Sequence, residues 1–250
     1  MKGSLVVAGL GPGMPAQVTP EVTAALAAAT DVVGYFPYVA RVQPRPGLAL
    51  HASDNREELA RAAFALRLAQ DGRNVVVVSS GDPGVFAMAS ALFEAVEGGP
   101  PQWRSLDIRV LPGVTAMLAA AARAGAPLGH DFCAINLSDN LKPWPVIEQR
   151  LRLAALADFA MALYNPRSAS RPHGFIRALA VLRESCGDAR PVIFARAVST
   201  PQEVLRVESL GDAKPEMADM RTLVIVGSST TRVIAREGSA WVYTPRSASG

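Results

Sequence analysis

The sequence predicts an α/β fold of two domains, with a mostly parallel sheet in the first and a mixed sheet in the second. Three observations carry this expectation. Short apolar runs rich in β-branched residues alternate with alanine-rich helical patterns through the first half, as in a parallel sheet covered by helices on both faces. Turns rich in Gly and Pro follow several of those runs directly. Past Gly125-Ala126-Pro127-Leu128-Gly129 the pattern restarts, and its last strands lie close enough together for antiparallel pairing. The boundaries that follow are an N-terminal domain over 1–115, a hinge helix and linker over 116–128, a C-terminal domain over 129–246 and a tail over 247–250.

Taken in order, residues 5–10 form an apolar strand that ends in Gly9-Leu10-Gly11-Pro12-Gly13. A dinucleotide fingerprint would need Gly-x-Gly-x-x-Gly and an acidic residue ending the second strand. Here Met14 stands where the third Gly belongs, Asp31 begins the next strand, and Pro12 lacks an amide donor. The loop is therefore read as a close-approach wall for a ligand other than a dinucleotide. Thr19 caps a helix over 21–29, with Pro20 at its first position, and a strand over 31–36 follows. Residues 37–55 read as a long loop carrying Tyr38, Arg41, Arg45, His51 and Asp54, a length that points to function. Asn55 caps a helix over 56–70, and 75–79 is the central strand.

That strand leads into Ser80-Gly81-Asp82-Pro83-Gly84 and a helix over 85–96. In open α/β sheets ligands settle outside the carboxyl ends of strands, so this turn is a candidate site, although a plain strand-to-helix connection would look the same. A strand over 106–111 runs into Pro112-Gly113-Val114-Thr115-Ala116 and a helix to Ala124. In the second half, strands are expected at 132–137, 159–164, 192–197, 203–209, 222–226 and 240–243. Helices are expected up to Leu156 and over 174–183.

The 250-residue chain is half hydrophobic yet only 6% aromatic, and its formal charge is +3, with arginine supplying 22 of the 25 basic residues. Arginine forks suit carboxylates and phosphates. The arginines are scattered without a basic stripe, so no nucleic-acid partner is expected. Cys133 and Cys186 stand apart with no metal-ligand spacing, so no metal is expected. The opening apolar stretch is broken by glycines at once, and no other run reaches membrane-spanning length. A cytoplasmic protein without membrane contact is the expectation.

Together, Gly-x-Gly-Pro-Gly, Ser-Gly-Asp-Pro-Gly, Pro-Gly-Val-Thr-Ala and Tyr164-Asn165-Pro166 resemble the tetrapyrrole (precorrin) methylases, which use S-adenosylmethionine and release S-adenosylhomocysteine. The stretch Gly129–Asp139, with Leu141-Lys142-Pro143-Trp144, is similar to members that methylate carbon 17 of precorrin-3B and contract the macrocycle in cobalamin biosynthesis. The resemblance implies a ligand cleft between the two α/β domains that holds the cofactor, and a homodimer. It maps the cofactor pocket onto Pro12, Gly81, Asp82, Val85, Thr115, Ala116, Tyr164 and Ala197. Many members carry Met at the position of Tyr164 and Gly-Thr near Ala197 and Val198, so packing around the adenine departs from theirs.

Asp82 either attracts the cofactor's ammonium or braces the turn. Arg41, Arg45, Arg104 and Arg167 are candidates for holding substrate carboxylates, with solvated surface positions the alternative. Ring contraction calls for a base within hydrogen-bond reach of a ring hydroxyl. Asp139 ranks first, as base or helix cap, ahead of His51, Asp54 and His130. Competing readings are a methylase of another precorrin or uroporphyrinogen carbon, an RNA or protein methyltransferase of the same fold, a nicotinamide-dependent reductase, and a non-catalytic binding protein.

Overall fold

A computed structural model describes residues 3–54 and 57–247. The chain divides into two compact units, Met1–Thr115 and Ala116–Gly250. In the first, strands β1 (Ser4–Gly9), β2 (Asp31–Tyr35), β3 (Ala49–Ser53), β4 (Asn74–Ser79) and β5 (Asp107–Leu111) form one sheet in the order β3-β2-β4-β1-β5. Every pair in it is parallel, as in Val6 beside Val76. Helices α1 (Pro20–Ala28), α2 (Phe36–Val39), α3 (Glu58–Gln70) and α4 (Met88–Gly98) connect the strands.

Alternation along each strand decides which core a residue joins. Leu5, Val7, Val75 and Val77 pack with Ala62, Leu66 and Leu92 of α3 and α4, whereas Val6, Ala8, Val76 and Val78 pack with Val22 of α1 and Val39 of α2. With both faces buried, the strands need continuous apolar sequence, and that is why β1 and β4 were readable. The Thr19 hydroxyl caps α1 by accepting from the Val22 amide at 3.2 Å.

Two expectations need correction here. The stretch 37–55 is not all loop: it contains the short helix α2 and the edge strand β3, whose Ala-Leu-His-Ala-Ser sequence never buries a face. Helix α4 starts at Met88 rather than Val85, because Phe86 takes a left-handed φ of 53° and Ala87 is extended. The cap expected at Asn55 lies outside the described residues.

The second unit comprises α5 (Ala116–Ala124), β6 (Gly125–Ala126), β7 (Phe132–Asn136), α6 (Trp144–Leu156), β8 (Ala160–Tyr164), α7 (Gly174–Cys186), β9 (Pro191–Arg196), β10 (Val204–Ser209), β11 (Thr222–Val226), β12 (Arg232–Arg236) and β13 (Ser239–Tyr243). Its main sheet has the order β10-β9-β11-β8-β7; only β7 and β8 pair in parallel. One face packs Met161, Leu163, Val192 and Phe194 against Ile147 and Leu151 of α6 and Phe175 and Leu182 of α7. Strands β12, β13 and β6 make a small third sheet, so part of the expected linker is built into this unit. Strand β12 went unread because all five of its residues are exposed.

Candidate active site

In the first unit, the loops after β1, β4 and β5 meet backbone to backbone. Gly11 and Gly81 exchange two hydrogen bonds, at 3.2 and 3.0 Å, and both are left-handed, with φ of 66° and 63°. A Cβ on Gly113 would lie 2.3 Å from the Gly81 carbonyl oxygen and 2.8 Å from that of Gly9. Only glycine permits this approach. Asp82 joins two of the loops: one carboxylate oxygen accepts from the Gly84 amide at 2.8 Å and the other from the Gly113 amide at 3.1 Å. Of the two roles considered for Asp82, the brace is visible in these bonds.

Arg41 braces the first of these loops, the one after β1. Its guanidinium donates to the carbonyls of Gly11 at 2.9 Å, Gly13 at 3.3 Å and Leu10, and burial pulls its pKa below the ordinary arginine value. A second arginine, the buried Arg61, went unnoticed in the sequence. It donates to the Ser53 hydroxyl at 2.9 Å, to the Asp54 carbonyl and to Met88 Sδ, and so ties the end of β3 to the start of α4.

Other candidates lie at the far end of this sheet, where the strands begin. Arg45 donates to the carbonyls of Leu26, Ala27 and Ala29 at 2.7–2.9 Å, closing the C-terminus of α1. Arg104 precedes β5 and donates to the Glu97 carbonyl at 3.1 Å. His51 Nε2 lies 2.9 Å from buried Asp31, which also accepts from Arg73 and Thr30. Burial alone would raise the Asp31 carboxyl, but the hydrogen bonds from Arg73, His51 and Thr30 hold it below the usual carboxylate value. Arg45 and Arg104 thus bond backbone carbonyls before β2 and β5, and His51, in the middle of β3, bonds Asp31.

In the second unit, β7, β8 and β9 run the same way, and their ends share one edge with the start of β11. Tyr164 ends β8, and its hydroxyl accepts from the Met117 amide in the first turn of α5 at 3.1 Å. Asn136 ends β7; its side-chain oxygen accepts from the Ser138 amide at 2.9 Å and from the Asn165 amide group at 3.1 Å. Asn165, Ala197 and Ser199 all take left-handed φ, at 52°, 50° and 62°. Glu203 accepts from the Ser199 amide and pairs with Arg123 of α5 at 3.2 Å.

Asp139 is exposed just past the end of β7, near Lys142. His130 precedes β7, at the opposite end of that strand, and its Nδ1 accepts from the Asp131 amide at 2.8 Å. Arg167 lines a concavity of about 570 Å³ with Ser168, Pro172, Asp219, Met220 and Arg221. Asp219 is held below the usual carboxylate value: burial opposes this, and Thr222, Arg196 and the Arg221 amide outweigh it.

Residues 4–214 match the family model for tetrapyrrole (corrin/porphyrin) methylases. The chain belongs to that family. As a tetrapyrrole methylase it is 56% identical over 247 residues to the precorrin-3B C(17)-methyltransferase of Sinorhizobium sp, covering 98% of this chain and 97% of that one. A crystal structure of the methyltransferase CobJ superposes with a TM-score of 0.94 at 66% identity, covering 97% of this chain and all of that one. The fold extends to a uroporphyrin-III C-methyltransferase from Thermus thermophilus in complex with S-adenyl homocysteine, at a TM-score of 0.69, 21% identity and coverage of 90% of this chain and 92% of that one.

The glycine loops leave backbone polar groups on a surface free of side-chain bulk, with the Asp82 carboxylate fixed among them. Among the described residues, no helix is long and apolar enough to cross a membrane.

Proposed function

We infer that the chain transfers a methyl group from S-adenosylmethionine to carbon 17 of precorrin-3B and contracts the ring to precorrin-4, in cobalamin biosynthesis. The observation that carries this reading is the end-to-end likeness to the Sinorhizobium enzyme, which spans both units. Gly81, Asp82, Val85, Pro12, Thr115 and Ala116 hold the cofactor from the first unit's loops, with Tyr164 and Ala197 contributing from the second unit. When bound, S-adenosylmethionine supplies a methyl group on a positively charged sulfur. The chain's part in that transfer is alignment, and proximity and orientation supply most of the acceleration.

Arg167 binds a peripheral carboxylate of the substrate; its position in that concavity, beside Arg221, supports this, whereas Arg41 is committed to the backbone. Asp139 takes the proton of the ring hydroxyl during contraction, since His51, in the middle of β3, is bonded to Asp31 at the start of β2, and His130 precedes β7. A homodimer working in the cytoplasm belongs to the same reading.

The test is incubation of the purified protein with precorrin-3B and methyl-labelled S-adenosylmethionine, with the product assigned by mass spectrometry and NMR. Label at carbon 17 of a contracted ring is the expected result, and Asp139→Asn should methylate yet contract slowly. Label on another carbon would transfer the assignment to a sister methylase, and full contraction by Asp139→Asn would remove Asp139 from its role.

A further inference from the structure

The loop after β8 and the turn before β11 wall the concavity of the second unit, and its charged groups are of two kinds. Some are already committed. Asp219 accepts from Arg196 Nε at 2.7 Å, from the Thr222 hydroxyl at 2.8 Å and from the Arg221 amide at 2.9 Å, so its charge is paired within the chain. Arg171 donates to the Asn165 carbonyl at 3.3 Å and reaches Met220 Sδ at 3.7 Å, which ties one wall to the other. Arg167 and Arg221 differ. They line the concavity from its two walls, and their guanidiniums have no partner among the described residues. The Arg221 backbone, by contrast, is held on both sides, its amide by Asp219 and its carbonyl by the Ala197 amide at 2.8 Å. A single solvated arginine is ordinary. Two uncommitted forks on one concavity, beside a carboxylate that Arg196 already pairs, leave it with surplus positive charge and suit it to an anion.

We propose that Arg221 is a specificity-determining residue: together with Arg167 it takes two neighbouring carboxylates of one pyrrole, so that the chain prefers macrocycles whose carboxylates come in adjacent pairs. The proposal rests on the reading above, in which Arg167 alone holds a carboxylate of the substrate. A guanidinium fork matches one carboxylate through two parallel bonds. Two forks in one concavity are therefore satisfied by two carboxylates, and a lone carboxylate would leave the second fork idle. Met220, which is half exposed, and Pro172 supply apolar surface for the edge of the pyrrole between its acid groups. Through its carbonyl, Arg221 is bonded to Ala197, so the carboxylate site adjoins a residue assigned above to the cofactor.

The test uses the full chain and two porphyrins whose rims differ: uroporphyrin III, with an acetate and a propionate on every pyrrole, and coproporphyrin III, with a propionate and a methyl group. Porphyrin affinity is read by fluorescence quenching and S-adenosylhomocysteine affinity by calorimetry, with the melting temperature of each variant. The wild type should prefer uroporphyrin by about tenfold or more. Arg221→Gln should lose about tenfold in affinity for uroporphyrin and no more than about twofold for coproporphyrin. Its melting temperature and S-adenosylhomocysteine affinity should hold, since the substitution keeps the backbone bond to Ala197. Arg232→Gln, the same change of charge on the exposed strand β12, should bind both porphyrins as the wild type does. Equal wild-type affinity for the two porphyrins, binding of neither, an equal loss of both in Arg221→Gln, or the same loss in Arg232→Gln would each overturn the proposal. If the wild type methylates a carbon other than 17 while Arg221→Gln shows the expected pattern, the assignment of carbon 17 fails and the role of Arg221 stands. Label at carbon 17 with unchanged porphyrin preference in Arg221→Gln gives the reverse.

Discussion

The loops at the carboxyl ends of the first sheet and those along the edge of the second are fixed by opposite means. In the first unit the chain removes side chains: Gly9, Gly81 and Gly113 let three backbones touch, and Asp82 and Arg41 clamp them. In the second unit the chain keeps side chains at positions where glycine would be easier. Asn165, Ala197 and Ser199 sit at positive φ, restrained by Asn136, by Glu203 and by burial. Shape in the first loops is set by what is missing, and in the second by what is bonded.

The largest effect should come from breaking the first arrangement. In Gly113→Ala the new methyl group meets the carbonyl oxygens of Gly81 and Gly9, which are backbone atoms within a five-stranded sheet's loops and cannot rotate away. We expect a loss of about 2–3 kcal/mol in urea denaturation, together with loss of S-adenosylhomocysteine binding. Wild-type stability with intact binding would show that the loops yield easily and that glycine there is not required for contact.

Asn165 tests the second arrangement. Asn165→Gly keeps the left-handed backbone but loses the 3.1 Å bond to Asn136, and should cost about 1 kcal/mol. Asn165→Ala loses the bond and adds the left-handed penalty of another 1–2 kcal/mol. The difference between the two variants in denaturant midpoint measures how much strain the loop carries. If they are equally stable, the side-chain bond alone holds the loop and the strain argument fails.

This contrast also explains what was legible in the sequence. Glycine in a motif announces itself, so the first unit's loops and the strands feeding them could be read from the chain. Strain at Ala197 or Ser199 leaves no local mark, because any residue type can be forced there by its surroundings. The arginines were ambiguous for a related reason. Arg41 and Arg45 donate to carbonyls 16 to 31 residues away, and nothing in a sequence says which carbonyls a fork will find. Strand β3 was missed because an edge strand with no buried face has no periodicity to detect.

The smallest effect concerns the far end of the first sheet, where Asp31 gathers His51, Arg73 and Thr30. Because its folded pKa is depressed, the unfolded chain takes up its proton first as pH falls. The stability it contributes is therefore complete above the ordinary carboxylate range and is lost as pH drops through that range to the lower folded value. Asp31→Asn should cost about 1 kcal/mol at neutral pH, its partners His51 and Arg73 being partly exposed. It should also flatten the acid limb of the stability curve measured from pH 3 to 7. Affinity for S-adenosylhomocysteine at neutral pH should stay as in the wild type, since the cluster lies where the strands begin and the glycine loops lie where they end. A matching fall in cofactor affinity would mean that the two ends of the sheet are coupled, and His51 would return as a candidate for the chemistry.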